Sequence, residues 1–351
     1  PYACLADEAD LARDYPDLDL FDATEVSSAD LTEAALAAEA AALAVPGVSN
    51  SAGAGASAGM GGMVLVTSHG FSGSYAGSRF GRSVSVIAGE GTRMERDYDF
   101  DSRLYFADLD DAAEIGRRAG ERVIKRLNPR QVPTGKNVTV VFEPRMARGF
   151  IGHLAGAING ASVARKTSFL RDQMGKQVLK AGLSLTDDPL IARGPASRPF
   201  DGEGVTGQKL AMVEDGVLQH WFLSTSTARE LGLKTNGRGV RGGNLVSPGS
   251  TNLRFTAGEQ TPEELIRQIG TGFYVTELIG QGVNMVTGEY SRGASGFWIE
   301  NGELAFPVAE VTIASNLRDM FLRVTPANDI DDSFSIAAPT LAIEGMTLAG
   351  R

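Results

Sequence analysis

Cysteine is almost absent from this chain of 351 residues: Cys4 is the only one. That excludes an internal disulfide framework and any zinc or iron–sulfur site built on cysteine, and it suits a reducing cytoplasm. Histidine is nearly as scarce, with His69, His153 and His220 far apart in sequence. None has a second ligand type four residues away, and His153 is followed by Leu154, so H-E-x-x-H is absent. Each reads first as a structural imidazole, hydrogen-bonded in its fold. Positive charge is also short, 33 basic against 43 acidic side chains for a net charge of −10. A surface that binds nucleic acid needs an excess of Lys and Arg to displace counterions, so nucleic acid is excluded as a direct ligand. No apolar run approaches the ~18 residues of a membrane span, and no signal peptide opens the chain. It begins at Pro1 without a methionine and reads as a piece of a longer protein.

What is present is glycine, 43 residues or about 12% against roughly 7% in an average protein. Scattered without a period, these glycines suit many tight turns between strands. Apolar residues at 42% and charged residues at 22% are ordinary for a globular chain. Residues 1–22, acidic and punctuated by proline, read as a loosely held leading segment. Ser27 and Asp30 have capping-box spacing, which predicts a helix along the alanine-rich run Leu31–Val45, stopped by Pro46-Gly47. Residues 47–62 read as a mobile Gly/Ser/Ala turn; with no lysine and no G-x-x-x-x-G-K-[ST], they are not a phosphate loop. Met63–Thr67, Phe71–Tyr75 and Ser83–Ala88 read as consecutive antiparallel strands. Asp110-Asp111 open a helix whose apolar stripe is Ala112, Ile115, Ala119, Val123 and Leu127, ending at Asn128-Pro129.

The stretch Pro129–Lys136 is the best domain boundary, so residues 1–128 are expected as one domain and 129–351 as another. After it, Val138–Phe142 predicts a strand and Pro144 begins a helix to about Asn159, rich in small residues. Beyond residue 185 the pattern is mostly β, with hairpins at Asp215-Gly216 and Asn301-Gly302 and a helix over Pro262–Ile269. The fold class is therefore α+β, an α+β first domain with an antiparallel sheet followed by a mainly antiparallel β domain with a glycine-rich helix. Nucleophile patterns are weak. Gly293-Ala294-Ser295-Gly296 is not at a strand–helix elbow and reads as a flexible turn between strands. Ser162 and Lys166 are i, i+4 and would meet on a helix, but no oxyanion loop accompanies them. Residues alone supply no catalytic constellation.

Several stretches taken together carry more. They are Gly149-Phe-Ile-Gly-His153-Leu-Ala-Gly-Ala-Ile-Asn-Gly160, Arg165–Leu170, Arg198-Pro-Phe-Asp-Gly-Glu-Gly-Val205, Thr227–Lys234 and Gly270-Thr-Gly272. Tyr290-Ser-Arg-Gly-Ala-Ser-Gly-Phe-Trp-Ile-Glu-Asn-Gly302 and Pro307–Ala314 complete the set. In this order the chain resembles the PmbA branch, also called TldE, of the TldD/PmbA peptidase family, over most of residues 20–351. The resemblance implies an additional N-terminal portion, an α+β domain, a β-rich C-terminal domain, and two subunits enclosing a proteolytic chamber. In the TldD branch a helix carries H-E-x-x-x-H, two zinc-ligating histidines and a general-base glutamate, and a cysteine near the C-terminus completes the site. Those helix positions fall here on Ile151, Gly152 and Gly156, and Ser333–Pro339 contains no cysteine. No side chain there holds zinc or replaces the base.

The resemblance thus implies a non-zinc, catalytically silent subunit with no cofactor, no metal site and no catalytic residue of its own. Its expected partner is a TldD-type zinc peptidase subunit in a heterodimer, with a homodimer as the other possibility, and its expected ligand is an unfolded peptide, in the cytoplasm. It would close the chamber and shape the groove, the peptide adding as an extended strand. Candidate groove or interface residues are Gly149, Gly152, His153, Gly156, Gly160, Thr271, Gly272, Ser291, Arg292 and Gly293. The family's older name, modulator of DNA gyrase, is read as an indirect effect, given the acidic chain. Two other readings stay open, a homodimeric peptide-binding scaffold and an autonomous hydrolase using Ser162 with Lys166 or a metal recruited by His153.

Overall fold

The structure, a computed structural model, describes residues 2–350. The chain divides into two compact units. The smaller holds Asp19–Met63 and Ser74–Arg130, and the larger holds the chain up to Leu18, Val64–Gly73 and the chain from Gln131 onward. A boundary at Pro129 would leave the leading residues in the first domain; they group with the larger unit. The composition of elements is α+β throughout.

The first elements are α1 (Ser28–Leu43), β1 (Val48–Val66), β2 (Ser72–Ala88), β3 (Glu95–Arg103) and α2 (Ala112–Lys125). The Ser27 hydroxyl accepts the Asp30 backbone N–H at 3.1 Å while the Asp30 carboxylate accepts the Ser27 N–H at 3.0 Å, the reciprocal cap its spacing predicts. Asp111 caps α2 by accepting from the N–H groups of Ala113 and Glu114. The stripe Ala112, Ile115, Ala119 and Val123 is buried against Val84, Val86 and Ala88 of β2, and also against Ala38 and Ala42 of α1. Gly116 and Gly120 permit this second contact. A Cβ on Gly120 would lie 2.6 Å from Val45, and one on Gly116 would collide with the Ala38 carbonyl.

Residues 47–62 are not a mobile turn. They form most of β1, an edge strand of the three-stranded sheet ordered β1-β2-β3. A strand of Gly, Ala and Ser carries no alternation of apolar and polar side chains, so its period was invisible, while the ladder to β2 depends only on backbone groups. The three short strands expected after Met63 are likewise the end of β1 and two stretches of one long β2. The third strand is β3, whose Asp99 pairs with Arg118 of α2 and whose Asp97 pairs with Arg126 at the C-terminal cap of α2.

In the larger unit the leading segment is held rather than loose. Leu11 bridges Val205, Ala12 donates its N–H to Gly204 at 2.8 Å, and Ala6 and Leu18 are buried. The elements from Gln131 onward are β4 (Gly135–Phe142), α3 (Pro144–Ala157), α4 (Gly160–Ala164), β5 (Leu185–Asp188), β6 (Leu210–Glu214) and β7 (Val217–Leu218). They continue as α5 (Thr225–Glu230), β8 (Gly239–Gly242), β9 (Leu245–Pro248), β10 (Asn252–Phe255), α6 (Pro262–Ile269) and β11 (Gly272–Ile279). The last are β12 (Glu289–Glu300), β13 (Glu303–Asn316), α7 (Leu317–Leu322), β14 (Val324–Pro326), β15 (Ile336–Ala337) and β16 (Leu341–Ala349).

Six strands run in the order β13-β12-β11-β4-β16-β14, and an extra pairing of β13 with β16 closes the first five on themselves. Five more run β15-β10-β5-β6-β7, and β8 pairs with β9. The pairings are antiparallel apart from β4 with β11 and β10 with β15. Both predicted tight turns are present: Asp215 and Gly216 have φ of 46° and 80°, and Asn301 and Gly302 have 53° and 77°, as a type I′ hairpin requires. The main core gathers Phe142, Phe150, Phe273, Phe321, Leu341 and Ile343 between α3 and the closed strands. No helix among the described residues is long and apolar enough to cross a membrane.

Candidate functional site

Helix α3 places the candidate residues, and its sequence explains how. Pro144 occupies its first turn, where a missing N–H costs nothing. Ala147, Phe150, Ile151, Leu154 and Ala157 point into the core, Phe150 stacking on Phe142 and Phe321 at 5.9 and 4.4 Å between ring centroids. Gly149, Gly152, His153 and Gly156 fall at i, i+3, i+4 and i+7 and share the opposite, half-open face.

That face is bounded by two segments. Met285 Cε lies 3.5 Å from where a Cβ on Gly156 would sit, and Ile336 Cδ1 lies 3.8 Å from the equivalent point on Gly152. The guanidinium of Arg148 stacks on Phe334 at 3.6 Å. From β12, Tyr290 sets its ring edge-on to the His153 imidazole with centroids 6.2 Å apart. Arg292 is two residues along the same strand and therefore on the same side of the sheet.

The electrostatics of this cluster are set by burial and by Arg292. Burial, and then the positive charge of Arg292, hold His153 below the usual imidazole range, so the ring is neutral near pH 7. Burial pushes the Tyr290 phenol upward, Arg292 acting against it. His153 is not the hydrogen-bonded structural imidazole that the sequence suggested, because neither ring nitrogen has a hydrogen-bond partner among the described residues. His69 does fit that description, its Nδ1 lying 2.7 Å from the Ala6 carbonyl.

The remaining candidates separate. Gly293 follows Arg292 on β12, paired with Ile279, and Ser291 is exposed on the opposite side of the strand. Gly160 is buried, with the Phe222 carbonyl 2.6 Å from the point a Cβ would occupy. Thr271 is exposed, and Gly272 is buried with the Thr139 carbonyl 2.5 Å from its Cβ position. Gly272 pairs with Ile299 at one end of the β11–β12 ladder and Gly293 pairs with Ile279 at the other, roughly 20 Å away at a strand's rise per residue. The structure brings His153 of α3 to Tyr290, with Arg292 beside them, and leaves Thr271–Gly272 apart.

Two nucleophile readings are corrected. Residues 293–296 are not a flexible turn but the middle of β12, where Gly296 allows the Tyr274 carbonyl to approach. Helix α4 ends at Ala164, and Lys166 turns left-handed at φ 60°, so Ser162 and Lys166 do not share a helix. Residues missed in sequence are Tyr290, Met285 and Ile336. The spacing Tyr290-Ser-Arg292 in a strand was the available signal for the first; the other two arrive from distant segments and left none.

Metal fits poorly here. Ile151 is fully buried in the core and Gly152 and Gly156 have no side chain. Among the described residues no three His, Cys, Asp or Glu side chains gather as a metal-holding group. An imidazole beside a guanidinium is a poor ligand for a further cation.

Comparison with known proteins places this geometry. Residues 21–127 match the PmbA/TldA metallopeptidase central domain and residues 134–350 match the PmbA/TldA metallopeptidase C-terminal domain. The chain belongs to the PmbA/TldD metallopeptidase family. It is 41% identical over 353 residues to metalloprotease PmbA of Escherichia coli O157:H7, covering all of this chain and 76% of that one. It is 42% identical to a metalloprotease PmbA homolog of Haemophilus influenzae, covering 99% and 76%. A Bacteroides thetaiotaomicron protein whose crystal structure carries the modulator-of-DNA-gyrase name superposes with a TM-score of 0.89 at 30% identity, over 100% of this chain and 78% of that one. TldE from Thermococcus kodakarensis shares the fold, with a TM-score of 0.84 at 22% identity over 99% and 80%. The PmbA/TldD fold is thus the frame on which helix α3 and strand β12 display their cluster.

Proposed function

We propose that this chain is the zinc-free subunit of a two-subunit peptidase of the TldD/TldE type. One observation carries the reading. At the three helix positions where the resembled zinc branch has ligand, base and ligand, this chain has a core isoleucine and two glycines. A zinc centre needs donor atoms at fixed distances, and removing them removes both the metal and the acidified water that would attack a peptide bond. What stays is space. In this reading the half-open face of α3 beside His153, Tyr290 and Arg292 receives the polypeptide, and an extended peptide paired through its backbone would be bound with little sequence preference. In this reading a TldD-type subunit supplies the chemistry, and the present chain closes the chamber and shapes its groove, in the cytoplasm.

An autonomous hydrolase is less well supported, since Lys166 is exposed and off the helix that bears Ser162. The test is elemental analysis of the dialysed protein, paired with a peptidase assay before and after adding a TldD-type subunit. No zinc, with activity only in the mixture, is the expected outcome. About one zinc per chain, with activity alone, overturns the reading. Peptide binding without any effect on the partner's activity would favour a homodimeric scaffold instead.

A further inference from the structure

Arg292 is an arginine without a counter-charge. It is half-buried on β12, and its only hydrogen bond among the described residues runs from Nε to the Ile279 carbonyl at 3.5 Å, the outer limit of such a contact. No carboxylate among the described residues forms an ion pair with it. Other arginines of the same unit behave differently: Arg238 meets Asp187 at 2.6 Å and Arg145 meets Glu143 at 2.7 Å. A guanidinium has five N–H donors in a planar fork, and leaving most of them unused in a partly desolvated place is costly unless something else fills them.

Its neighbours point the same way. Tyr290 is only 2% exposed, and its hydroxyl, which still reaches solvent, has no hydrogen-bond partner among the described residues. His153 is half-buried, uncharged near pH 7, and unpartnered at both nitrogens. The glycines of α3 add no side chain of their own beside them, and Gly149 has nothing within 4 Å of its Cβ position. Three donor groups of two chemistries, one charged and two neutral, lie beside one another, and among the described residues their one acceptor is the Ile279 carbonyl at the outer limit of reach. The arrangement lacks an acid to receive it.

We propose that Arg292, Tyr290 and His153 form a seat for a single carboxylate of the bound peptide, Arg292 engaging it through its planar fork while the phenol and an imidazole N–H donate to it. One guanidinium with two neutral donors matches a monoanion; a phosphate group carries more charge than one arginine balances. The inference deepens the peptide-groove reading and rests on it. It assigns the region that holds metal in the zinc branch to the opposite kind of ligand, an anion in place of a cation. Both the C-terminal carboxylate and an Asp or Glu side chain have the required chemistry, and the experiment separates them.

Binding is measured by calorimetry on the full purified chain with three short acetylated alanine peptides: one ending in a free carboxylate, one ending in an amide, and one amidated with an internal glutamate. At least one carboxylate-bearing peptide is expected to bind about tenfold or more tightly than the neutral amide, as befits a charge-assisted pair. Preference for the free terminus identifies the C-terminal carboxylate, and preference for the glutamate peptide identifies a side chain. Arg292→Gln should bring the preferred peptide down to the affinity of the amide, Arg292→Lys should keep part of the preference, and Tyr290→Phe should lower it with the fold intact by circular dichroism. Equal binding of all three peptides to the wild type, no binding at all, or a preference that survives Arg292→Gln would overturn the proposal. The zinc and mixing measurements do not depend on any of these, so a silent subunit with no carboxylate seat would still be recognised as such.

Discussion

Arg238 and Arg292 lie in the same unit of one protein and meet opposite surroundings. Arg238 is fully buried, and Asp187 takes its Nε at 2.6 Å while the carbonyls of Asn236, Gln208 and Asp187 take its terminal nitrogens. Asp187 is completed in turn by the N–H and hydroxyl of Thr251. Close by in sequence, Asp201 accepts three backbone N–H groups, from Glu203, Val205 and Gly239, and Glu203 accepts the N–H and hydroxyl of Thr225. These are polar groups whose hydrogen-bonding capacity is used inside the fold, and they hold loops in register. Around Arg292 the donors are present, and the one acceptor among the described residues is the Ile279 carbonyl at 3.5 Å. A satisfied polar cluster belongs to the structure, whereas an unsatisfied one on a half-open face belongs to what binds there.

The contrast is broken most sharply by cutting each cluster. Asp187→Ala leaves a guanidinium buried without its counter-ion and should cost about 3–5 kcal/mol in denaturant unfolding, enough to threaten folding. Arg292→Gln, which removes a charge that forms no ion pair among the described residues, should change stability by less than about 0.5 kcal/mol. Equal losses from the two would mean that Arg292 is structural. Next in size are the glycines. Gly160→Ala places a methyl 2.6 Å from the Phe222 carbonyl and 2.7 Å from Leu223 Cδ2, at a cost of about 1–3 kcal/mol. Gly149→Ala meets nothing and should stabilise α3 by roughly 0.5–1 kcal/mol. A peptide groove along α3 would show itself if Gly149→Ala raised the melting temperature while weakening peptide binding.

The smallest effect is in the pH dependence, and the two clusters contribute with opposite sign. His153 is held below its unfolded value of 6.5 by burial and by Arg292. Above that value the ring is neutral folded or unfolded. As pH falls below it the unfolded chain takes up the proton first, and stability drops. Asp201 and Glu203 are held above their unfolded values of 3.8 and 4.5 by burial. Their contribution is present at lower pH and is lost as pH rises from those values through the folded ones, because the unfolded chain releases its protons first. Melting temperatures of wild type, His153→Gln and Glu203→Gln across this range should show the first variant flattening the limb just below pH 6.5 and the second flattening the opposing slope.

How much could be read without coordinates depended on the range of each signal. Ser27 with Asp30, Asp111, Pro144 and the helix Pro262–Ile269 were legible because a cap or a first-turn proline acts within one turn of helix. Asp215-Gly216 and Asn301-Gly302 were legible because a two-residue hairpin needs positive φ at both positions. Strand β1 was not, since its glycines, alanines and serines carry no period. Nor were the short α5 and α7, or the held leading segment, which is fixed by Val205 and Gly204 far along the chain. At the candidate site the glycine face of α3 and the Arg292 strand were in view, but Tyr290, Met285 and Ile336 were not.

By itself, then, the sequence determined the local devices, the α+β class and the lack of a ligating side chain at Ile151, Gly152 and Gly156, because each of these is a matter of residue identity at a position. Only the tertiary structure decided that β13 pairs with β16 to close five strands, that Thr271–Gly272 stands far from Gly293, and that His153, Tyr290 and Arg292 share a space. Those facts depend on contacts between residues tens of positions apart, as in Thr312 with Ala349, or more than a hundred, as in His153 with Tyr290, and chain separation carries no local signal of which distant backbone or side chain will be opposite.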